Sequence, residues 1–186
     1  MAELLRCKTC GYVVEAGRVG DVCPACGVPR KMMEPWKDPL SAQRRFLLGL
    51  DVHPIIDHFS ISFATCAVVV AAFALLFPGI LHQTSAGVMR VFVGVLPLAV
   101  LASYVSGVYD GKLRFRRTTT PVLRNKKLLG ALFFTFTVIA AVLCFSVDPS
   151  ATWAGVSVIL LEVLGLGCAF LLGRAGKDLL GAFFPG

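Results

Sequence analysis

The chain has 186 residues, 56% hydrophobic and 16% charged, with 18 Lys and Arg against 11 Asp and Glu for a net charge of +7. So apolar a composition excludes disorder, collagen-like repeats and an ordinary water-soluble enzyme, and it points to a membrane protein. Seven cysteines do not suggest a secreted disulfide scaffold here, because four form two Cys-x-x-Cys pairs before residue 30 and three stand singly in apolar runs; that pattern fits a metal site on a reducing, cytoplasmic face.

In chain order, residues 1–34 read as a small polar head built around Cys7, Cys10, Cys23 and Cys26. Its first 30 residues have no apolar core and carry Arg6, Lys8, Glu15, Arg18 and Asp21, so they do not read as a cleaved signal peptide. Residues 35–52 read as a linker. Glu34-Pro35-Trp36-Lys37-Asp38-Pro39 should be stiff and extended, since each Pro fixes its own φ and biases its predecessor away from helix. Ser41 to Leu50 can form an amphipathic turn or two with Arg44 and Arg45 near headgroups, an irregular linker being the alternative.

Residues 53–173 contain four apolar runs, at about 55–80, 88–109, 127–147 and 151–173, each near the roughly 20 residues that cross a bilayer as helix. The expected fold is a small β/loop metal domain followed by an all-α four-helix transmembrane bundle. Asp51-Val52-His53-Pro54 places Pro at a first helical position and Asp57 in the positive first turns of the first span. The tail, 174–186, is too short to span, and Leu179, Leu180, Phe183 and Phe184 suit an interface or a partner surface.

Cations set the orientation, because short loops rich in Lys and Arg resist translocation. Eight lie in the head and linker, seven follow the second run (Lys112, Arg114, Arg116, Arg117, Arg124, Lys126, Lys127), and Arg174 and Lys177 lie in the tail, which leaves Arg90 for the other side. A multi-pass protein of the cytoplasmic (inner) membrane with both termini cytoplasmic is expected. The positive charge then reflects topology and contact with anionic membrane lipid, and no nucleic-acid partner is expected.

Cys7-Lys8-Thr9-Cys10-Gly11 and Cys23-Pro24-Ala25-Cys26-Gly27 give the spacing of a four-thiolate tetrahedral site, with a Gly after each second Cys for the tight turn that aims backbone N–H groups at sulfur. Tetrahedral sulfur suits iron and zinc alike. From Leu5 to Met33 these motifs, with Tyr12 after the first and Val28-Pro29-Arg30 after the second, resemble a rubredoxin, most closely the abbreviated domain of rubrerythrins. The resemblance implies Cys7, Cys10, Cys23 and Cys26 as ligands of one iron that carries single electrons, with zinc as the alternative. The connection Gly11 to Val22 departs from free-standing rubredoxins, since it has a single aromatic, Tyr12.

Within the membrane part, His53-Pro54-Ile55-Ile56-Asp57-His58-Phe59 and Ser106-Gly107-Val108-Tyr109-Asp110-Gly111 are similar to a family of uncharacterised four-helix membrane domains, a resemblance that implies the architecture and no reaction. Antiparallel threading should bring His53, Asp57 and His58 toward Ser103, Tyr104, Tyr109 and Asp110 on the side of the head. That cluster, with Glu162 in the fourth run, is the candidate quinone and proton site. Its competing reading is a helix-start pair and an aromatic belt. Haem b is the weaker cofactor: His53 and His58 are about 140° apart around a helix, and His82 belongs to the opposite side. Glu162 can alternatively pair with Arg90 or hydrogen-bond a small polar residue. Cys66, Cys144 and Cys168 read as small buried apolar groups, and Thr65, Thr135, Thr137 and Ser157 as helix-packing contacts.

The leading functional expectation is a membrane-anchored one-electron carrier between a cytoplasmic donor or oxidoreductase partner subunit and a membrane acceptor such as menaquinone. Four thiolates close the metal shell, so any enzymatic step belongs to the quinone or to a larger complex. A zinc ribbon that anchors or assembles a membrane complex is the alternative.

Overall fold

The computed structural model describes residues 3–37, 41–77, 82–115, 119–147 and 152–181. It divides into two compact units, Met1–Phe46 with Arg174–Gly186, and Leu47–Gly173. Phe183, Phe184, Arg116 and Arg117 lie outside the described residues, as do the side chains of Leu179, Leu180 and His82.

In the first unit, β1 (Leu4–Cys7), β2 (Val13–Glu15) and β3 (Met33–Trp36) form an antiparallel sheet in the order β2-β1-β3. Leu5 pairs with Val14 on one side and with Pro35 on the other. Pro35 and Trp36, assigned to the linker on sequence, thus belong to the sheet. The extended backbone that proline imposes is also strand backbone, and on an edge strand its missing N–H costs no ladder bond. Trp36 lies under the guanidinium of Arg6, 4.6 Å from the ring centroid. The stretch for which sequence left helix or irregular linker open is helical, as α1 (Ala42–Gly49).

The second unit is built from α2 (Val52–Leu76), α3 (His82–Arg114), α4 (Pro121–Ser146) and α5 (Thr152–Gly181), the last of which runs on beyond Gly173. All four are long and apolar enough to cross a membrane. With 33 and 30 residues, α3 and α5 span about 50 and 45 Å at 1.5 Å per residue. An apolar run marks only the depth of the hydrocarbon, while backbone hydrogen bonding carries a helix on into polar turns. For the same reason α4 begins at Pro121, ahead of the expected residue 127, with Thr120 as its N-cap. In α2 Pro54 is the third helical residue, still among the first N–H positions that have no intrahelical acceptor. Asp51, just before it, adopts a left-handed conformation with φ 47°.

Side-chain size decides which faces meet. The buried stripe of α2 is Ser60, Ala64, Ala67 and Ala71, small residues at helical spacing that let neighbouring backbones approach. It packs into two apolar clusters, one with Leu96, Val100, Phe133 and Cys168, the other with Val93, Ala140, Cys144 and Val158. Large apolar side chains point the other way: Leu98, Phe170 and Leu128 are 68%, 67% and 60% exposed, as lipid contact requires and water does not tolerate. Cys144 and Cys168 are buried as expected, but Cys66 is exposed, because it falls on the outer face of α2. Thr65 and Thr135 are also outward, each hydroxyl donating to its own helix at Ile61 O and Ala131 O, and of the expected threonine contacts Thr137 is buried.

Two glycines test this packing. A Cβ at Gly165 would stand 2.9 Å from the buried ring of Phe133, whereas one at Gly94 would stand 3.1 Å from Phe145, which is 60% exposed and can swing away. Gly165→Ala is expected to destabilise the bundle by about 1–3 kcal/mol and Gly94→Ala to be near neutral, read from thermal unfolding in detergent.

Candidate functional site

Two similar turns present the cysteines. Cys7 ends β1, its N–H bonds to Tyr12 O (2.9 Å), and Gly11 N–H returns to Cys7 O (2.8 Å). In the second turn Cys23 N–H bonds to Val28 O (2.8 Å) and Gly27 N–H to Cys23 O (2.9 Å). Gly11 and Gly27 both adopt φ 74°, a conformation that a side chain resists. The second turn is closed by the Val22–Pro29 bridge and by Arg30, whose Nη1 donates to Val19 O at 2.7 Å.

The four sulfurs lie within 4.8 Å of one another, with Cys7 to Cys26 and Cys10 to Cys23 both 3.8 Å apart. Metal–sulfur bonds of about 2.3 Å in a tetrahedron require sulfur–sulfur edges of about 3.8 Å, so the donor set fits one ion with no fourth position open to substrate. Burial is unequal: Cys7 and Cys23 are buried, Cys10 is half-buried and Cys26 exposed.

The electrostatics fit a cation as well. The backbone amides of Cys10 and, more weakly, Thr9 point at the Cys7 sulfur and bring that thiol down to about 6 against the opposing effect of burial. At Cys26 the Val28 amide favours the thiolate, but desolvation and the three facing sulfurs outweigh it and push the thiol up to about 12. Crowded sulfur therefore surrenders its last proton only with difficulty, and a metal ion in the centre removes that penalty.

Residues 6–34 match the family model described as "Rubrerythrin, rubredoxin-like domain". They form a rubredoxin-like domain of the rubrerythrin type. The match takes in β2, both cysteine turns and parts of β1 and β3, and the described residues beyond the sheet are mostly helical. No curated protein and no solved structure matches the chain. A rubredoxin-like site of four cysteines holds iron or zinc, and its role is electron transfer or structural.

A second polar site lies at one end of the bundle, where all four helices line a cleft of about 110 Å³, room for several waters or a ring. His53, Asp57, Ser103 and Tyr104, which antiparallel threading expected to face one another, line it together with Lys126 and Lys127. Ser103 donates to Asp57 Oδ1 at 2.7 Å. The Ser106 hydroxyl donates to Ser103 O at 2.9 Å, so its oxygen accepts from His53 Nδ1 at 3.2 Å and Nε2 is the nitrogen available to a ligand.

The other expected members do not join them. His58 is exposed and its Nδ1 donates to Pro54 O, 2.6 Å away on its own helix. Tyr109 is 55% exposed, and Asp110 pairs with Arg114 at 2.9 Å. Lys126 and Lys127, counted on sequence only as loop cations, were missed because the helix that carries them to the cleft starts before the apolar run.

Glu162 is also outside the cleft lining, on the inner stripe of α5 between Val158 and Gly165. It is 1% exposed, and among the described residues neither carboxyl oxygen has a hydrogen-bond partner. Neither the pairing with Arg90 nor the hydrogen bond to a small polar residue that the sequence left as alternatives is formed; Arg90 Nε and Ser60 Oγ are buried and unpartnered too. Leaving such a carboxyl inside a bundle costs several kcal/mol, so Glu162→Leu is expected to raise stability by about 1–3 kcal/mol in thermal unfolding.

Protons compete with metal for the thiolates, so the loaded site should lose its ion on acidification. Cys26, whose thiol is pushed up to about 12 before any metal binds, is the ligand that reprotonates most readily, so loss of the ion is expected to begin there. At neutral pH a strong chelator should melt the head and leave the helical circular dichroism of the bundle intact.

Proposed function

We propose that the chain is a membrane-anchored one-electron carrier, passing electrons between a soluble donor or partner subunit and an acceptor in the membrane. The observation that carries this reading is the closed tetrahedron of four sulfurs on a rubredoxin-like fold, with its Cys10 and Cys26 edge toward solvent. An iron bound there supplies a reversible ferric–ferrous couple. The cysteine turns hold the ligands in one geometry, and amides aimed at sulfur favour the charge of the reduced site. The cation distribution supports the cytoplasmic membrane, with both termini on the cytoplasmic side.

For the acceptor we propose a quinone at the cleft lined by His53, Asp57 and Tyr104. Few polar groups on mostly apolar walls, drawn from several helices, is the usual make-up of a small-molecule site. His53 Nε2, which carries no proton while Nδ1–H is held by Ser106, is placed to take one up from water and pass it to a ring oxygen, and the serines fix His53 and Asp57.

A second reading is a structural zinc ribbon that anchors or assembles a membrane complex. It is favoured by the small core of the head, whose buried apolar side chains among the described residues are Cys7, Val19 and Cys23, so that an ion of either kind would stabilise the fold.

Metal analysis with electron paramagnetic resonance on protein from its native membrane separates the two readings. One high-spin ferric ion per chain that reduces reversibly is expected; stoichiometric zinc without redox-active iron would leave the anchor. In the iron form, His53→Ala is expected to slow quinone reduction by about tenfold or more, and His58→Ala, on the outer face, to leave it unchanged.

A further inference from the structure

The cleft at the His53 end of the bundle has an uneven charge count. Lys126 and Lys127 line it against the single carboxylate of Asp57. Asp110, which acts electrostatically on both His53 and Lys126, is already paired with Arg114. Asp57 receives the Ser103 hydroxyl. The half-buried Lys126 has no hydrogen bond or close ion pair among the described residues, although Asp57, Asp110 and His53 are within its electrostatic reach. An ammonium against apolar walls is stabilised by an anion, and restricted access of water strengthens that attraction.

The walls specify shape. The ring of Tyr104 occupies space that only a glycine at 130 leaves, since a Cβ there would stand 2.7 Å from it, and the imidazole of His53 lies against Gly107 in the same way at 2.8 Å. Phe133 and Leu172 add apolar surface. A flat-sided slot with one surplus cation suits a planar ring better than the bulky, strongly hydrated phosphate of a lipid.

We propose that the cleft holds one oxygen of a quinone-type ring against the Lys126 ammonium, and that it selects for negative charge on that oxygen. The proposal rests on the quinone reading above and adds to it the cation and the charge preference. Lys127, on the adjacent position of α4, plays the lesser part, since the interaction with Asp57 and Asp110 is seen at Lys126.

The test uses the full chain loaded with zinc, so that no electron transfer enters, in phosphatidylcholine nanodiscs. Two probes are titrated by equilibrium dialysis: a short-chain naphthoquinone, and its ring-hydroxylated analogue, whose hydroxyl is ionised at neutral pH. The ionised ring is expected to bind about tenfold or more tightly than its parent, a difference of about 1.4 kcal/mol. Lys126→Met should erase the preference by weakening the ionised ring at least about tenfold more than its parent, and unchanged helical circular dichroism and thermal unfolding report that the bundle is folded. Lys126→Arg should retain the preference, and Lys127→Met should change it little.

Equal binding of the two rings, or a preference that survives Lys126→Met, would overturn the proposal and leave the quinone reading standing. Loss of the preference when phosphatidylglycerol replaces part of the lipid would assign the cation to a lipid phosphate and overturn it too. Failure of both rings to bind would remove the quinone reading itself.

Discussion

No polar group inside hydrocarbon can turn to water, and the second unit is organised around that fact. Its backbone is helical because only a helix satisfies its own N–H and C=O groups within one segment. Three of its threonine hydroxyls obey the same rule: Thr65, Thr135 and Thr137 each donate to a carbonyl three or four residues back. Since lipid supplies no hydrophobic drive between helices, contact depends on close approach, and the small residues of α2 and the glycines facing Tyr104 and Phe133 provide it. Polar side chains with chemistry to offer then gather at one end of the bundle, where His53, Asp57, Ser103 and Ser106 satisfy one another across α2 and α3. Glu162, Ser60 Oγ and Arg90 Nε break the rule, buried without a partner among the described residues.

The head faces the opposite problem. It is too small to build a core, and among the described residues two of its three buried apolar side chains are cysteines. The sulfurs stand close enough that their charges would repel, a repulsion that a coordinated cation would turn into cohesion. Closed coordination has a functional corollary. With no position left for a substrate, such an ion can transfer an electron or hold the fold, and chemistry on a bound molecule has to occur elsewhere in the chain or in a partner.

Much of this was legible in the residues alone. The cysteine spacing named the four ligands because Cys-x-x-Cys-Gly is a local turn, complete within five residues. The four spans were legible because hydrocarbon thickness is a one-dimensional constraint. Their ends were less so: α3, α4 and α5 run beyond the apolar stretch, since hydrogen bonding rather than hydropathy terminates a helix. The antiparallel threading correctly brought His53 and Asp57 to Ser103 and Tyr104, but it could not choose faces. His58, one residue beyond Asp57, is turned outward, and Cys66 likewise.

By itself, then, the sequence determined the domain order, the ligand set and the membrane character, all properties carried by contiguous residues. Tertiary structure alone decided that Pro35 and Trp36 complete a sheet, that Lys126 belongs with Asp57 and His53, and that Glu162 has no counter-charge in Arg90. Each of those depends on rotation about a helix axis or on pairing between distant strands, and a rotation of 100° per residue turns neighbours in the chain to different faces of the bundle.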